Sequence, residues 1–252
     1  MIRIGLLGCG NVGQIIAREH IDVEIVALFD LLEGRAEALA ETCNASAFSD
    51  FGEFISQDFD LCVEAASVDA VKAHAEEILR NGKDMIMLSV GALSEEGFKE
   101  RLESTARETG RRIRIPSGAV FGLDNLKIGQ ISPITRLTLR TTKSPASLRL
   151  ETDEKKIIFK GRANDCIRRF PKNINVAIAM GLAAEREAEV ELWVDPAIDR
   201  NMHEIFVEGD FGEAYIKVRN NPSPGNPATS YLAALSVLTL LKNLDKPIVV
   251  GT

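Results

Sequence analysis

Few folds are open to a chain whose first apolar run, Ile4 to Leu7, leads straight into Gly8-Cys9-Gly10-Asn11-Val12-Gly13. The spacing G-x-G-x-x-G suits a strand that turns into a helix over a phosphate. Gly8 permits the tight turn, Gly10 lets backbone approach a pyrophosphate, and Gly13 lets the helix lie close to the strand. Amides at the helix start, around Asn11 and Val12, then face the phosphate charge with the helix dipole behind them. Such a motif is weak alone, but here a second strand follows and ends in Asp30, twenty residues past Gly10. A carboxylate there accepts hydrogen bonds from an adenine ribose and repels a 2′-phosphate, which favours NAD. Arg35, five residues on, keeps a 2′-phosphate within reach, so NADP stays possible.

As far as about residue 115 the pattern continues as strand and helix in alternation. Strands are predicted at Arg3 to Leu7, Val23 to Asp30, Leu61 to Ala65, Asp84 to Leu88 and Arg112 to Ile115. Helices are predicted at Asn11 to Glu19, Leu32 to Cys43, Val68 to Asn81 and Glu95 to Thr109, the last with Ser94 as N-cap and Gly110 as stop. This is the signature of a doubly wound parallel sheet of the Rossmann type.

Beyond Pro116 the period changes. A loop of small residues, Ser117 to Gly122, precedes a short helix from Leu123 to Gly129, and period-two alternation then dominates. Mostly antiparallel strands are expected at Ile134 to Thr142, Ser147 to Glu151, Lys156 to Lys160, Glu189 to Val194, Glu204 to Glu208 and Ala214 to Arg219. One apolar helix, Asn173 to Glu187, interrupts them. After the turn-rich stretch Asn220 to Pro227 comes a final amphipathic helix, Thr229 to Leu241, which is expected to return to the first domain. The fold class is therefore α/β with an inserted α+β mixed-sheet domain. Residues 1–118 plus 226–252 would bind the dinucleotide, and 119–225 the substrate.

Composition narrows the partners. The formal net charge of the 252 residues is −7, with acids and bases interspersed, so nucleic acid and anionic membrane surfaces are not expected partners. Cys9, Cys43, Cys62 and Cys166 show neither paired spacing nor neighbouring histidines, so reduced thiols and no metal are expected. The run Ile4 to Leu7 is too short for a signal segment or a membrane span, and the expected location is the cytoplasm.

Hydride transfer to or from a nicotinamide needs a proton donor or acceptor close by, and histidine titrates in the right range. Of the three histidines, His20 ends the first helix and His74 is read on the exposed face of a later one. His203 differs, since it stands in the second domain at the entry to a strand, within Asp195-Pro196-Ala197-Ile198-Asp199-Arg200-Asn201-Met202-His203. Lys143, Arg168, Arg169 and Lys172 are candidates for binding carboxylates. Cys166 is the one cysteine considered as an acylating nucleophile, though Asn164-Asp165-Cys166-Ile167 does not suggest that role.

With these residues in place the chain resembles the L-aspartate dehydrogenases of NAD biosynthesis along nearly its whole length. The resemblance rests on the glycine turn, on Pro116-Ser117-Gly118-Ala119 with Gly122-Leu123-Asp124, and on Phe170-Pro171-Lys172-Asn173-Ile174-Asn175-Val176. It continues through Asp195-Pro196 with Asn201 and His203, and through Asn226-Pro227 with Thr229-Ser230 and Leu232-Ala233-Ala234-Leu235. It implies oxidation of L-aspartate by NAD(P) to iminoaspartate, which is hydrolysed to oxaloacetate and ammonia or passed on toward quinolinate. It also implies His203 as the active-site residue, a homodimer, and cofactor contacts from Ala119 and from an asparagine of Lys172-Asn173-Ile174-Asn175, taken as Asn173 because it begins the predicted helix. Two other readings compete with it: a reductase of the dihydrodipicolinate reductase type, and a non-catalytic NAD(H)-binding protein.

Overall fold

The computed structural model describes residues 1–252 except 20, 21, 33, 171–174 and 252, and the backbone alone at 227 and 228. The chain divides into two compact units. One comprises Met1–Pro116 with Ala234–Ile248, the other Ser117–Ala233 with Val249–Thr252.

The first unit is built on β1 (Ile2–Leu7), β2 (Val23–Phe29), β3 (Ser46–Phe48), β4 (Leu61–Glu64), β5 (Asp84–Met87) and β6 (Ile113–Arg114), all parallel, in the order β3-β2-β1-β4-β5-β6. The connecting helices are α1 (Asn11–Arg18), α2 (Arg35–Cys43), α3 (Phe51–Ile55), α4 (Val68–Arg80) and α5 (Phe98–Thr109). Alternate strand residues feed opposite faces, and both faces are covered. Leu7, Phe29, Cys62, Met85 and Met87 pack with Phe54, Ile78 and Leu102 on one side. Ile4, Leu6, Leu28, Val63 and Ile86 pack on the other with Val12, Ile16 and Leu39. That second layer is completed from the far end of the sequence: Ala234, Val237, Leu238 and Leu241, spaced at one helical face, join the same cluster. Burying each of the larger ones is worth about 1.5–3 kcal/mol.

The second unit contains β7 (Ile134–Lys143), β8 (Lys156–Arg162), β9 (Glu189–Val194), β10 (Met202–Gly209) and β11 (Gly212–Arg219), in the order β11-β10-β7-β9-β8. Neighbours are antiparallel apart from β7 and β9, so the sheet is mixed. Its helices are α6 (Leu123–Leu126), α7 (Pro145–Leu148), α8 (Ala163–Arg169) and α9 (Asn175–Ala184). A hairpin, β12 (Pro222–Ser223) with β13 (Asn226–Ser230), runs into α10 (Tyr231–Asn243).

Four local expectations need correction. The segment Ser147 to Glu151 is not a strand: Ser144 caps α7 by accepting from the Ser147 amide, Pro145 occupies its first turn, and Arg149 ends it in the left-handed region. Ser94 does not cap α5. It closes a 3₁₀ turn, its hydroxyl donating to the Gly91 carbonyl at 2.7 Å, and Gly97 begins the helix instead. Thr229 and Ser230 belong to β13 and not to the last helix. His74 is half-buried and stacks on Phe51 with ring centroids 3.7 Å apart, so it is not a solvated histidine. The expectations for His20 and Lys172 lie outside the described residues.

Candidate active site

The strand order reverses direction between β1 and β4, and the carboxyl ends of parallel strands at such a point form a crevice for ligands. The glycine turn stands there. Gly8 has φ of 103°, and a Cβ on it would lie 2.8 Å from Ala66; a Cβ on Gly13 would lie 2.1 Å from the Gly8 carbonyl oxygen. Both glycines are therefore required by the turn. At Gly10, by contrast, nothing lies within 4 Å of where a Cβ would be. The turn is close-packed on its inner side and open where a pyrophosphate would approach. Asn11 and Val12 open α1, and no acidic side chain occupies its first turn to compete for an anion.

Asp30, just beyond β2, closes the cradle. Its Oδ2 accepts from the Cys9 amide at 2.9 Å and its Oδ1 from the Leu32 amide at 2.9 Å. The carboxylate so fixes the glycine turn and keeps lone pairs for a ribose diol. Burial beside this carboxylate pushes the Cys9 thiol up to about 12, so Cys9 is an inert packing residue. These features fit a dinucleotide.

Glu64 stands inside a strand run, and the sequence pattern alone suggests no role for it. It is fully buried at the end of β4 and accepts from the amides of Ala66, Leu88 and Ser89 and from the Ser89 hydroxyl, at 2.7–3.0 Å. Burial raises its pKa while the four donors oppose that shift. The group ties the carboxyl ends of β4 and β5 together. A charged residue inside the apolar run Leu61-Cys62-Val63-Glu64-Ala65 was the available signal.

In the second unit His203 is 6% exposed and faces Thr141 across the β7–β10 ladder. Its Nδ1 lies 2.9 Å from Thr141 Oγ1. Strand alternation puts Lys143 on the same face of β7 as Thr141, and Lys143 is likewise buried. Burial, with the Lys143 charge adding to it, pushes His203 down to about 3, so the imidazole is neutral at physiological pH. Burial also brings Lys143 down to about 8. Thr141, whose role sequence alone did not suggest, is the side chain that orients the histidine.

The other candidates divide. Ala119 sits in the loop before α6, and its carbonyl accepts from Asn220 Nδ2 at 3.0 Å. Asn173 lies outside the described residues. Arg168 and Arg169 are exposed at the end of α8, Arg169 over the Phe159 ring, which is a surface arrangement. Cys166 is buried and its thiol is pushed up to about 11, unsuitable for nucleophilic catalysis. Among the described residues no group of three or more His, Cys, Asp or Glu could hold a metal, and no helix is long and apolar enough to cross a membrane.

A parallel six-stranded sheet with a glycine cradle, joined to a mixed sheet carrying a buried histidine, defines an NAD(P)-dependent oxidoreductase of two domains. Residues 124–244 match the family model described as aspartate dehydrogenase, C-terminal, and residues 5–116 that of the homoserine dehydrogenase NAD binding domain. The chain is 60% identical to the L-aspartate dehydrogenase of Methanospirillum hungatei over the full length of both. It is 41% identical to that of Methanothermobacter thermautotrophicus, covering 100% of this chain and 99% of the relative. Among solved structures, the aspartate dehydrogenase of Thermotoga maritima superposes with a TM-score of 0.84 at 28% identity, covering all of both chains. The chain belongs to the L-aspartate dehydrogenase family.

Proposed function

We propose that this protein oxidises L-aspartate with NAD(P)⁺ to iminoaspartate, with His203 as the acid and base. The substrate follows from the family, and the observation that supports the chemistry is the buried, neutral imidazole held by Thr141. With Nδ1–H donating to Thr141 Oγ1, the second ring nitrogen keeps its lone pair. That nitrogen accepts a proton from the substrate amino group as the Cα hydride departs, and can later take one from water that attacks the resulting imine. The nicotinamide, when bound, supplies the hydride acceptor. In reductive amination the same nitrogen returns the proton. Gly8, Gly10, Asn11, Val12, Gly13 and Asp30 would hold the dinucleotide, with Ala119 and Asn173 contributing at its nicotinamide end. In this reading 1–118 plus 226–252 serve mainly the cofactor, and 119–225 mainly the substrate and the dimer contact.

The direct test is a panel of amino acids assayed with each cofactor. L-Aspartate with NAD⁺ should give the highest rate, and Asp30 favours NAD⁺ over NADP⁺. NADH oxidation with a dihydrodipicolinate-type substrate and none with oxaloacetate plus ammonia would reject the reading. Thr141→Val preserves shape and removes the hydroxyl that orients the base. It should lower kcat about tenfold or more while NADH affinity stays unchanged.

We further propose a cytoplasmic homodimer paired through the mixed sheet. The face opposite His203 carries Trp193, Phe206 and Tyr215, with the Arg140 guanidinium 5.3 Å from the Phe206 ring and paired to Glu191 at 2.8 Å. Aromatic residues and arginine on one sheet face suit a self-complementary contact. Light scattering should return twice the chain mass; a monomer at micromolar concentration would reject the pairing.

A further inference from the structure

One recess of the second unit is half-open and carries polar side chains to which the proposed proton transfer gives no role. A cavity of about 340 Å³ has Ser144, Arg200, Asn201, Asn220, Asn226 and Ser230 among its walls, a volume suited to a small metabolite. His203, Thr141 and Lys143 are not among its described walls, but two residues close to them in the chain are. Asn201 immediately precedes β10, its carbonyl accepting from the Asn220 amide at 2.8 Å, and Ser144 directly follows Lys143 at the end of β7.

Two of its wall residues are buried with a polar atom that has no partner. Asn220 is 3% exposed and Ser230 is 9% exposed, yet Asn220 Oδ1 and Ser230 Oγ make no hydrogen bond. The Asn220 amide cannot be turned to relieve this, because the Ala119 carbonyl only accepts and so holds Nδ2 against itself. An acceptor and a hydroxyl left without partners weaken the fold, and native chains keep such atoms where something else satisfies them. The rim also carries charge. Arg200 and Asp199 both line it, 3.4 Å apart, and Asp199 is held more closely, at 3.0 Å, by Arg219 outside the walls, so the Arg200 guanidinium is only partly neutralised.

We infer that this cavity receives the amino dicarboxylate substrate, with Asn220 Oδ1 accepting from its α-amino group and Ser230 Oγ donating to a carboxylate that the Arg200 charge attracts. The inference rests on the proposed aspartate oxidation and deepens it by naming the recognition residues. It also gives a use to Asn226-Pro227 with Thr229-Ser230, since β13 forms one wall.

Ser230→Ala is the informative variant, because the hydroxyl supports nothing in the protein itself. We expect its melting temperature to be unchanged or higher, while KM for L-aspartate and Ki for succinate both rise about tenfold. Asn220→Ala should raise KM for L-aspartate by a similar factor and leave Ki for succinate, which has no amino group, within about twofold. A Ser230→Ala enzyme with wild-type KM, or one that melts several degrees lower, overturns the assignment. Wild-type turnover separates the two levels of the argument. If the wild type oxidises L-aspartate and Ser230→Ala matches it, the cavity assignment falls and the activity stands. If the wild type binds succinate through Ser230 without oxidising L-aspartate, the site stands and the activity falls. If it neither oxidises nor binds either compound, both fall.

Discussion

His203→Ala should reduce turnover of L-aspartate by a factor of roughly 10² to 10⁴, the range supplied by a positioned acid or base. NADH affinity should stay within about threefold of wild type, since the dinucleotide cradle is built from β1, α1 and Asp30 and not from the histidine. The neutral imidazole makes a second readout possible. Its folded pKa, near 3, lies below the ordinary value of 6.5, so the unfolded chain takes up a proton first as pH falls. The stabilisation associated with a neutral His203 is therefore complete above pH 6.5 and is lost as pH drops toward 3. In His203→Ala this contribution to the acid side of the melting curve should be missing. Near-wild-type turnover in this variant would place the proton transfer elsewhere, and a wild-type acid slope would contradict the buried, neutral histidine.

Legibility of the fold in the sequence followed the range of the interactions. The glycine turn, the parallel strands and the second-domain alternation were readable because each is written in local spacing: three glycines, apolar runs between turn residues, and period two. β3 and α3 escaped notice because they are only three and five residues long, and α8 because seven residues give little periodicity. The mistaken strand at Ser147 to Glu151 shows a different failure. Its alternation was real, but Ser144 and Pro145 upstream decide the backbone, and local capping outweighs a short pattern.

The site divides in the same way. Asp30 was found by its distance from Gly10, and His203 by its scarcity and by the company of Asp195, Pro196 and Asn201. Thr141, Lys143 and Asn220 owe their significance to pairing across long sequence separations. Thr141 meets His203 only because β7 and β10 pair in one register, and Asn220 reaches Ala119 across 101 positions. Period-two alternation correctly predicts that Thr141 and Lys143 share a face, but not which strand lies opposite. Register is a tertiary property, fixed by which face the whole sheet buries.

Gly13→Ala should be the most damaging small substitution in the chain. The added methyl would lie 2.1 Å from the Gly8 carbonyl oxygen, 3.1 Å from the Gly8 carbonyl carbon and 3.5 Å from Leu6 Cδ2. Two of these are backbone atoms of the turn, and the turn is held on its other side by the Cys9 amide bonded to Asp30 and the Gly8 amide bonded to the Phe29 carbonyl. No flexible side chain can give way. Either α1 lifts from β1, opening the packing of Val12 and Ile16, or the turn itself opens. Overpacking of this kind costs about 3 kcal/mol, which for a chain of this size lowers the melting temperature by roughly 5–10 °C. Displacing the turn by about an ångström also misaligns the amides meant for the pyrophosphate, so NADH affinity should fall about a hundredfold. Gly10→Ala is the control that separates the two effects. Its methyl meets nothing within 4 Å and φ is −73°, so stability should not change, yet the methyl enters the space through which the phosphates approach. Loss of NADH binding at both positions, with loss of stability at Gly13 alone, is the pattern that a close-packed turn serving an open phosphate site requires; unimpaired binding in Gly10→Ala would contradict it.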